Sequence, residues 1–267
     1  MTPTIYELRC RDRIECGPDV LVLGFDPPLQ SPELQPGHFF MLAVPGDERC
    51  FRLRRPFSIF SWWENGWEFL IQITGWGTRR LAGLGVGETL SMVGPLGRPF
   101  PLAQSGQRVL LLSGGIGMAT LYPLHVTLAQ RGVGVFHVYG ARTADRLVEL
   151  SRLIELPGEV DVATDDGSTG FHGRLDAWVM ANAERIRHFD CVYMCGPIAM
   201  MTACYRALRR FMEGPIHASM EVIMGCGYGV CRGCAVPVRE GLRYRMACVD
   251  GPVFSCDEVN WSWWTLT

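Results

Sequence analysis

Residues 109–117 read VLLLSGGIG, a short apolar run that leads directly into a glycine-rich turn. A helical pattern follows at 119–130, and a second apolar run occupies 133–139. Apolar strands that alternate with helices are typical of a doubly wound parallel sheet. The stretch therefore predicts that an α/β nucleotide-binding domain begins near residue 103.

The alternation continues along the chain as far as residue 214. Helical patterns at 147–156 and 173–183 flank an apolar strand at 160–163, and a further strand occupies 191–194. Because parallel strands place their carboxyl ends along one edge of the sheet, ligands are expected to gather there. Residues 103–214 are therefore predicted to form a doubly wound parallel α/β domain that binds a nicotinamide nucleotide.

Two glycine turns lie at that predicted sheet edge. They supply the candidate nucleotide-binding residues Gly114, Gly115, Gly117, Cys195, Gly196 and Pro197. Glycines at such turns let a pyrophosphate approach main-chain amides at the start of a helix, and Cys195 would then lie beside the nicotinamide ring. An ordinary tight turn, with Cys195 as a small packing residue, explains the pattern equally well.

Short apolar segments separated by Gly and Pro fill the first part of the chain. They lie at 20–25, 38–44, 57–62 and 67–74. This density of short strands predicts a small antiparallel β-barrel over residues 1–102.

The predicted barrel contains the sequence RPFS at 55–58, followed one hairpin later by GWGT at 75–78. An arginine can pair with a pyrophosphate, an aromatic ring can lie against a flat ligand, and a serine hydroxyl can hydrogen-bond a ring nitrogen. Residues 70–72 offer main-chain contacts, and a helix start at 77–78 offers amides. The predicted FAD-binding residues are Arg55, Pro56, Phe57, Ser58, Leu70, Ile71, Gln72, Gly77 and Thr78. Taken alone, RPFS is equally typical of a solvated turn.

The last part of the chain, 215–267, is rich in Cys and Gly and is predicted to form a small third domain. Three cysteines have the C-x4-C-x2-C spacing of plant-type ferredoxins, and Cys248 follows them. The predicted ligands of a [2Fe–2S] cluster are Cys226, Cys231, Cys234 and Cys248. A structural zinc site or free buried thiols are the alternatives, and Cys256 is a rival for the fourth ligand.

The composition excludes several classes of protein. A net charge of −2 over 267 residues provides no basic face for nucleic acid or for an anionic membrane. Residues 1–13 lack the apolar region of a secretory signal, and no apolar run approaches the roughly 20 residues of a bilayer span. A cytoplasmic protein is therefore expected, in which the 11 cysteines favour metal ligation over disulfides. The scattered cysteines are predicted to be mostly small core residues: Cys10, Cys16, Cys50, Cys191, Cys195 and Cys204.

Two further polar features leave their roles open. Asp165 and Asp166 lie in a predicted loop at the sheet edge, where solvated turn carboxylates are commoner than metal or acid–base sites. Arg142 follows the second strand of the α/β half and is either a surface arginine or a contact for a 2′-phosphate. The choice between NADH and NADPH therefore stays open.

Taken in order, the motifs resemble one known family. The sequences RPFS at 55–58, GWGT at 75–78, GGIG at 114–117 and the cysteine loop ending in VDGPVF at 249–254 are similar to those of a particular group of flavoproteins. These are the electron-transfer subunits of NAD-dependent dihydroorotate dehydrogenase B, within the ferredoxin-NADP reductase superfamily. The resemblance extends over residues 5–261.

The resemblance implies one FAD, one [2Fe–2S] cluster held by the four cysteines, and NAD as a diffusible substrate. It also implies pairing with an FMN-containing catalytic subunit, in a heterotetramer with two copies of each, for pyrimidine biosynthesis. Electrons would pass from FMN through the cluster to FAD and then to NAD⁺. The alternatives are the same relay serving a sulfide dehydrogenase, hydrogenase or bifurcating transhydrogenase partner, and an iron–sulfur redox sensor that exchanges no hydride.

Overall fold

The computed structural model of the protein describes residues 3–46, 53–62, 66–239 and 243–265. Within these ranges the chain forms a six-stranded antiparallel barrel, a seven-stranded sheet connected by helices, and a two-stranded hairpin. The predicted fold class, a barrel joined to a doubly wound α/β domain with a small C-terminal domain, is confirmed. None of the helices in these ranges is long and apolar enough to cross a membrane.

The barrel is a single sheet in the order β4-β3-β6-β1-β2-β5. Its strands are β1 (Thr4–Gly17), β2 (Val20–Phe25), β3 (Phe39–Leu42), β4 (Arg55–Ser58), β5 (Trp67–Gln72) and β6 (Thr89–Leu96). The segment after β4 nearly closes the barrel, because the Glu68 amide donates to the Ser61 carbonyl at 2.8 Å and the Phe60 amide donates to the Glu68 carbonyl at 2.9 Å. A short helix, α1 (Trp76–Ala82), follows β5.

Aromatic side chains fill the barrel. Phe25, Phe40, Trp67 and Phe69 are fully buried, and the ring centroids of Phe40 and Trp67 lie 4.8 Å apart. Removing each such side chain from water contributes about 1.5–3 kcal/mol. Because neighbouring residues of a strand point to opposite faces, this core leaves Leu70 of β5 facing the α/β domain.

The α/β half follows the predicted alternation. Its strands are β7 (Arg108–Gly114), β8 (Gly134–Ala141), β9 (Glu159–Thr164), β10 (Phe171–His172) and β11 (Cys191–Cys195). Its helices are α2 (Met118–Gln130), α3 (Leu150–Ile154), α4 (Leu175–Ala181), α5 (Ala183–Ile186) and α6 (Ile198–Leu208). The sheet order is β10-β9-β8-β7-β11-β12-β15, and the pairs from β10 to β12 are parallel. The central strand β7 is buried on both faces, which explains its uninterrupted apolar run.

The sheet continues past the boundary predicted after residue 214. Strand β12 (Ile216–Ser219) pairs in parallel with β11, and β15 (Val253–Ser255) pairs antiparallel with β12. Between them lies the hairpin of β13 (Ala235–Pro237) and β14 (Tyr244–Met246). The cysteine-rich segment therefore leaves the α/β sheet at β12 and returns to it at β15.

The tryptophan-rich end of the chain packs against α6. Trp261 is 2% exposed, its ring centroid lies 5.7 Å from that of Tyr205, and its Nε1 donates to the Cys256 carbonyl at 2.7 Å. The Arg209 guanidinium pairs with both oxygens of Asp257 at 3.0 and 2.6 Å. These contacts fasten the C-terminal segment to the α/β domain as far as Trp261, and residues 266–267 lie outside the described ranges.

A chain of buried hydrogen bonds runs through the α/β core. His125 Nε2 lies 2.9 Å from the Pro157 carbonyl, His125 Nδ1 lies 3.3 Å from His137 Nδ1, and His137 Nε2 lies 2.8 Å from Ser113 Oγ. Because a carbonyl only accepts, His125 carries its hydrogen on Nε2. His125 Nδ1 then accepts from His137 Nδ1, and His137 Nε2 accepts from the Ser113 hydroxyl. If both rings were protonated, two N–H groups would face each other across the contact between the Nδ1 atoms, so the pair cannot take up two protons in this geometry.

Lowering the pH is expected to destabilise the protein through this pair. Burial lowers the pKa of His125 below its ordinary 6.5 and that of His137 well below it. Below about pH 6.5 the unfolded chain therefore binds protons that the folded chain does not. Each histidine that stays neutral in the folded chain then removes up to about 1.4 kcal/mol of stability per pH unit. Urea unfolding between about pH 7.5 and about pH 5.5 measures this slope.

The control for this experiment separates the pair from other histidines. His125→Phe/His137→Phe is expected to show a smaller slope, whereas His188→Gln, at an exposed position, keeps the wild-type slope. Burial also lowers the pKa of His38 and His217, so a part of the slope remains in the double variant. Equal slopes in the wild type and the double variant would contradict the prediction.

Candidate functional site

Two adjoining cavities lie where the barrel meets the α/β sheet. The first has a volume of about 360 Å³ and lies against β4 and β5. The second, of about 900 Å³, opens at the carboxyl ends of β7, β8 and β9. Gln72, Ile116 and Glu221 line both. One cleft therefore runs from the barrel to the ligand-binding edge of the sheet, which suits a flat ring next to a nucleotide.

The first cavity is lined by most of the predicted FAD-binding residues. These are Arg55, Pro56, Phe57, Ser58, Leu70, Gln72 and Thr78. The side chain of Ile71 is fully buried in the barrel core, since strand neighbours point to opposite faces, so Ile71 offers a ligand only its main chain. Gly77 is buried at the start of α1, next to Arg55.

The Arg55 guanidinium lies against the first turn of α1. A Cβ atom built on Gly77 would lie 3.1 Å from Arg55 Nε, so a side chain there would crowd the guanidinium. Arg55 Nη1 donates to the Leu53 carbonyl at 2.8 Å. Thr78 Oγ1 accepts hydrogen bonds from the backbone amides of Thr74 at 2.9 Å and Gly75 at 3.0 Å, and these bonds fix the turn before the helix. An arginine beside main-chain amides is a donor set suited to a pyrophosphate.

The opposite wall of the first cavity comes from the α/β half. Thr120, in the first turn of α2, donates from Oγ1 to Ser58 Oγ at 2.8 Å, so side chains of the two halves meet across the cleft. Glu221, in the segment after β12, belongs to the same wall. Sequence reasoning missed both residues because neither belongs to a recognisable motif. The one available signal was a hydroxyl in the otherwise apolar first turn of α2.

The two glycine turns meet at the second cavity. Gly114, Gly115 and Pro197 line it. Gly117 and Gly196 lie behind this surface. A Cβ atom on Gly117 would lie 2.3 Å from the Cys195 carbonyl oxygen at the end of β11. A Cβ atom on Gly196 would lie 2.9 Å from the Gly114 carbonyl oxygen. The turns therefore pack backbone against backbone, which requires glycine at these two positions.

Cys195 ends β11 and is fully buried, so its side chain lines neither cavity. Burial raises the pKa of the thiol well above its usual range. Its Sγ lies 3.7 Å from Glu221 Oε1, and burial also raises the pKa of that carboxyl group. The thiol is therefore protonated behind the cavity wall, and its position beside a nicotinamide stays a prediction.

The two neighbouring aspartates have different surroundings. Asp165 lines the second cavity, as does Arg142. The Asp166 carboxylate accepts hydrogen bonds from the Ser168 hydroxyl at 2.6 Å and the Ser168 amide at 3.0 Å, and these bonds lower its pKa. Asp166 is therefore a turn carboxylate, whereas Asp165 faces the nucleotide edge of the sheet.

The four predicted ligand thiols approach one another in two pairs. Cys234 Sγ and Cys248 Sγ lie 3.2 Å apart, and the Gly229 amide donates to Cys248 Sγ at 3.1 Å. Cys226 Sγ accepts the Cys231 amide at 3.5 Å. Two pairs of thiols match a cluster of two irons, each of which takes two thiolates. Over the described parts of the chain, no three or more His, Cys, Asp or Glu side chains surround a point that could hold a single metal ion.

Glycines shape the loop that carries the first three cysteines. Gly227 and Gly229 have φ of +90° and +83°, which L side chains rarely adopt. A Cβ on Gly227 would lie 2.6 Å from Met41 Cγ in β3, so the loop lies directly on the barrel. Burial acts to raise the pKa of Cys226, but hydrogen bonds from loop amides, the strongest from Cys231, lower it to about 7. The loop itself therefore favours a thiolate.

The rival ligand Cys256 lies elsewhere. It follows β15, is fully buried, and its amide donates to the Ile216 carbonyl at 2.8 Å. Cys248 instead follows β14, whose pairing with β13 brings it to Cys234. The geometry therefore favours Cys248 as the fourth ligand. Cys50, one of the scattered cysteines, lies outside the described residues.

The cysteine loop begins where the first cavity ends. Met224 lines that cavity, and Cys226 is the second residue after it. Two residues of chain extend over at most about 7 Å. A ligand in the first cavity and a cluster on the loop would therefore be close neighbours.

Comparisons with known sequences agree with this geometry. The model of the iron–sulfur cluster binding domain of dihydroorotate dehydrogenase B matches residues 221–260. The electron transfer subunit of dihydroorotate dehydrogenase B (NAD(+)) from Bacillus cereus strain Q1 is 38% identical over 237 residues, which covers 84% of this chain and 86% of the relative. The subunit from strain B4264 is 40% identical over 233 residues, with the same coverage.

Solved structures share the fold. The NADH-dependent reduced ferredoxin-NADP oxidoreductase, which was studied for flavin-based electron bifurcation, superposes with a TM-score of 0.84 at 32% identity, covering 96% of this chain and 91% of that one. The ferredoxin reductase of carbazole 1,9a-dioxygenase superposes with a TM-score of 0.69 at 24% identity, covering 82% of this chain and 69% of that one. The second similarity concerns the fold alone.

Proposed function

The chain belongs to the family of electron transfer subunits of dihydroorotate dehydrogenase B, and we propose that it carries electrons from a dihydroorotate-oxidising partner to NAD⁺. Family membership makes it an oxidoreductase subunit with FAD and a [2Fe–2S] cluster. A bound flavin would convert between the single electrons that a cluster carries and the electron pair of a hydride. The residues of the chain would bind and orient these groups.

FAD would occupy the first cavity. Arg55 and the amides near Gly77 would hold the pyrophosphate, Phe57 would lie against the ring, and Ser58 would hydrogen-bond its reactive nitrogen. The position of these residues along one cavity supports this assignment. Leu70 and Gln72 on β5 would line the edge of the ring.

NAD⁺ would occupy the second cavity. Gly114 and Gly115 would let the pyrophosphate approach the main chain, and Pro197 would border the nicotinamide end. The lining that both cavities share supports direct contact between nicotinamide and flavin, because Ile116 and Glu221 lie at the junction. Hydride exchange requires such contact between the two rings.

The cluster would be held by the four thiols and would face a protein partner. Ile223, Tyr228, Val230 and Val249 lie near or on the cysteine loop and are 88%, 51%, 80% and 46% exposed. Exposed apolar side chains around one feature are typical of a protein interaction site. The partner proposed here is the FMN-containing catalytic subunit, in a heterotetramer with two copies of each chain.

One observation carries the proposal: the loop that brings two thiol pairs together begins at Cys226, two residues after Met224, which lines the same cavity as the predicted FAD-binding residues. The test is to purify the protein anaerobically with a candidate FMN subunit and to record visible spectra. Flavin and [2Fe–2S] bands are expected together, and both should bleach when dihydroorotate or NADH is added. A protein without bound flavin would instead support a redox sensor and would overturn the proposal.

A second candidate function is the same relay with a different partner. The similarity to the NADH-dependent reduced ferredoxin-NADP oxidoreductase over 96% of the chain favours it. It predicts that NADH bleaches both cofactors whereas dihydroorotate, even with the FMN subunit present, does not. The spectra described above therefore separate the two functions.

A further inference from the structure

The hydrogen bond between Thr120 and Ser58 joins the two halves of the molecule at the reactive end of the first cavity. Thr120 is only 2% exposed, and both side chains line this cavity. Their hydroxyl oxygens lie 2.8 Å apart, with Thr120 as the donor. Thr120 comes from α2 and Ser58 from β4, so the bond forms only in the assembled cleft.

Neighbouring contacts hold Thr120 firmly against the barrel. Two residues further along α2, the centroid of the Tyr122 ring lies 4.8 Å from that of the Phe60 ring in the barrel half. Arg152 Nη1 lies 2.7 Å from Glu68 Oε2, which adds an ion pair between the halves. These contacts hold the α/β half against the barrel, and with it the Thr120 hydroxyl next to β4.

The bond to Thr120 determines where the Ser58 hydroxyl proton can point. A hydroxyl has one proton to donate and two lone pairs with which to accept. The Thr120 hydroxyl also neighbours the Cys195 thiol, whose own proton goes to Glu221 Oε1. With the Thr120 proton donated to Ser58 Oγ, the proton of Ser58 points away from Thr120. Across the described residues Ser58 donates to no protein group, so this proton is available to a ligand in the cavity.

We propose that Thr120 is a positioning residue, which orients the Ser58 hydroxyl as a hydrogen-bond donor to the reactive ring nitrogen of FAD. This inference rests on the FAD site proposed above. The oxidised ring accepts a hydrogen bond at that nitrogen, whereas the reduced ring carries a hydrogen there. A hydroxyl held as a donor therefore favours the oxidised form and makes the reduced flavin a stronger reductant, as electron delivery to NAD⁺ requires.

The test compares Thr120→Val, Thr120→Ser, Ser58→Ala and the double variant Ser58→Ala/Thr120→Val in the full chain with its cofactors. The flavin midpoint potential is measured by reductive titration followed in the visible spectrum. Thr120→Val is expected to raise the equilibrium constant for flavin reduction about three- to tenfold, the worth of one hydrogen bond. For a two-electron couple, tenfold corresponds to about 30 mV.

The other variants show whether the effect passes through Ser58. Thr120→Ser keeps the hydroxyl and should return the potential to the wild-type value. The double variant should shift the potential no further than Ser58→Ala alone, because Thr120 acts only through that hydroxyl. A merely structural role for Thr120 would lower the melting temperature without changing the potential.

Each outcome bears on the proposal. A wild-type potential in Thr120→Val, or additive shifts in the double variant, would overturn it. If Thr120→Val does not fold, Thr120→Ser against Thr120→Ala gives the same comparison with smaller side chains. Failure of the wild-type protein to bind FAD would overturn the proposed function. That result is distinct from FAD binding in both the wild type and Thr120→Val with the same flavin midpoint potential, which would overturn only the role of Thr120.

Discussion

Cys248→Ala is expected to abolish electron transfer between the FMN partner and FAD while the NADH-dependent reduction of FAD continues. Cys248 Sγ lies 3.2 Å from Cys234 Sγ and accepts the Gly229 amide, so it completes one of the two thiol pairs. Loss of a group that hydrogen-bonds a metal ligand already lowers metal affinity about 10- to 100-fold, and loss of the ligand itself should lower it further. The iron–sulfur bands in the visible spectrum and the iron content should disappear together.

Cys256→Ala is the matched control. This cysteine is as buried as Cys234 and Cys248 and was the rival for the fourth position, but it follows β15 and lies in the α/β core. Its replacement should leave the cluster spectrum unchanged and lower only the stability, because a small side chain leaves a buried site. A variant Cys256→Ala without cluster, or Cys248→Ala with an intact cluster, would contradict this ligand assignment.

The contrast between these cysteines shows what sequence spacing can predict. Three of the thiols lie in one short loop and the fourth follows a short hairpin, so local chain geometry largely determines how they meet. The glycines of that loop, such as Gly227 with φ of +90°, are equally local in their effect. The four candidate ligands could therefore be proposed without knowledge of the tertiary structure.

The periodicity of the sequence predicted some barrel strands and missed others: β1 and β6 were not among the predicted segments, and the segment predicted at 57–62 forms a strand at Arg55–Ser58. Strand β2 occupies Val20–Phe25 as predicted, because six consecutive buried residues leave few alternatives. Strand β12 was not predicted as part of the α/β sheet, since nothing in its four residues indicates that it pairs with β11. Pairing between distant segments depends on tertiary packing, which local propensity does not encode.

The same limit applies to the walls of the cleft. Ser58 was predicted from a motif, but its partner Thr120 lies 62 residues away and meets it only because α2 packs against the barrel. Glu221 reaches both cavities for a similar reason, since it follows β12 at the edge where the two halves join. Residues that complete a site from another part of the fold leave no spacing signal.

Arg55→Ala is expected to weaken FAD binding about 10- to 100-fold. Arg55 lines the first cavity, and its Nε lies 3.1 Å from the position of a Cβ on Gly77, where α1 begins. A hydrogen bond to a charged group contributes about 1.5–3 kcal/mol, and each 1.4 kcal/mol is tenfold in affinity. Quenching of flavin fluorescence on addition of FAD to deflavinated protein measures the dissociation constant.

Two further variants test whether the effect depends on the position and shape of the arginine. Arg79→Ala removes an exposed arginine of α1 that lines neither cavity, so it should leave the dissociation constant within about twofold of the wild type. Arg55→Lys keeps the charge but loses the planar pair of donors, and should lie between the wild type and Arg55→Ala. If Arg55→Ala binds FAD as tightly as Arg79→Ala, the pyrophosphate lies elsewhere, because a phosphate at the start of α1 would lie next to the Arg55 guanidinium beside Gly77.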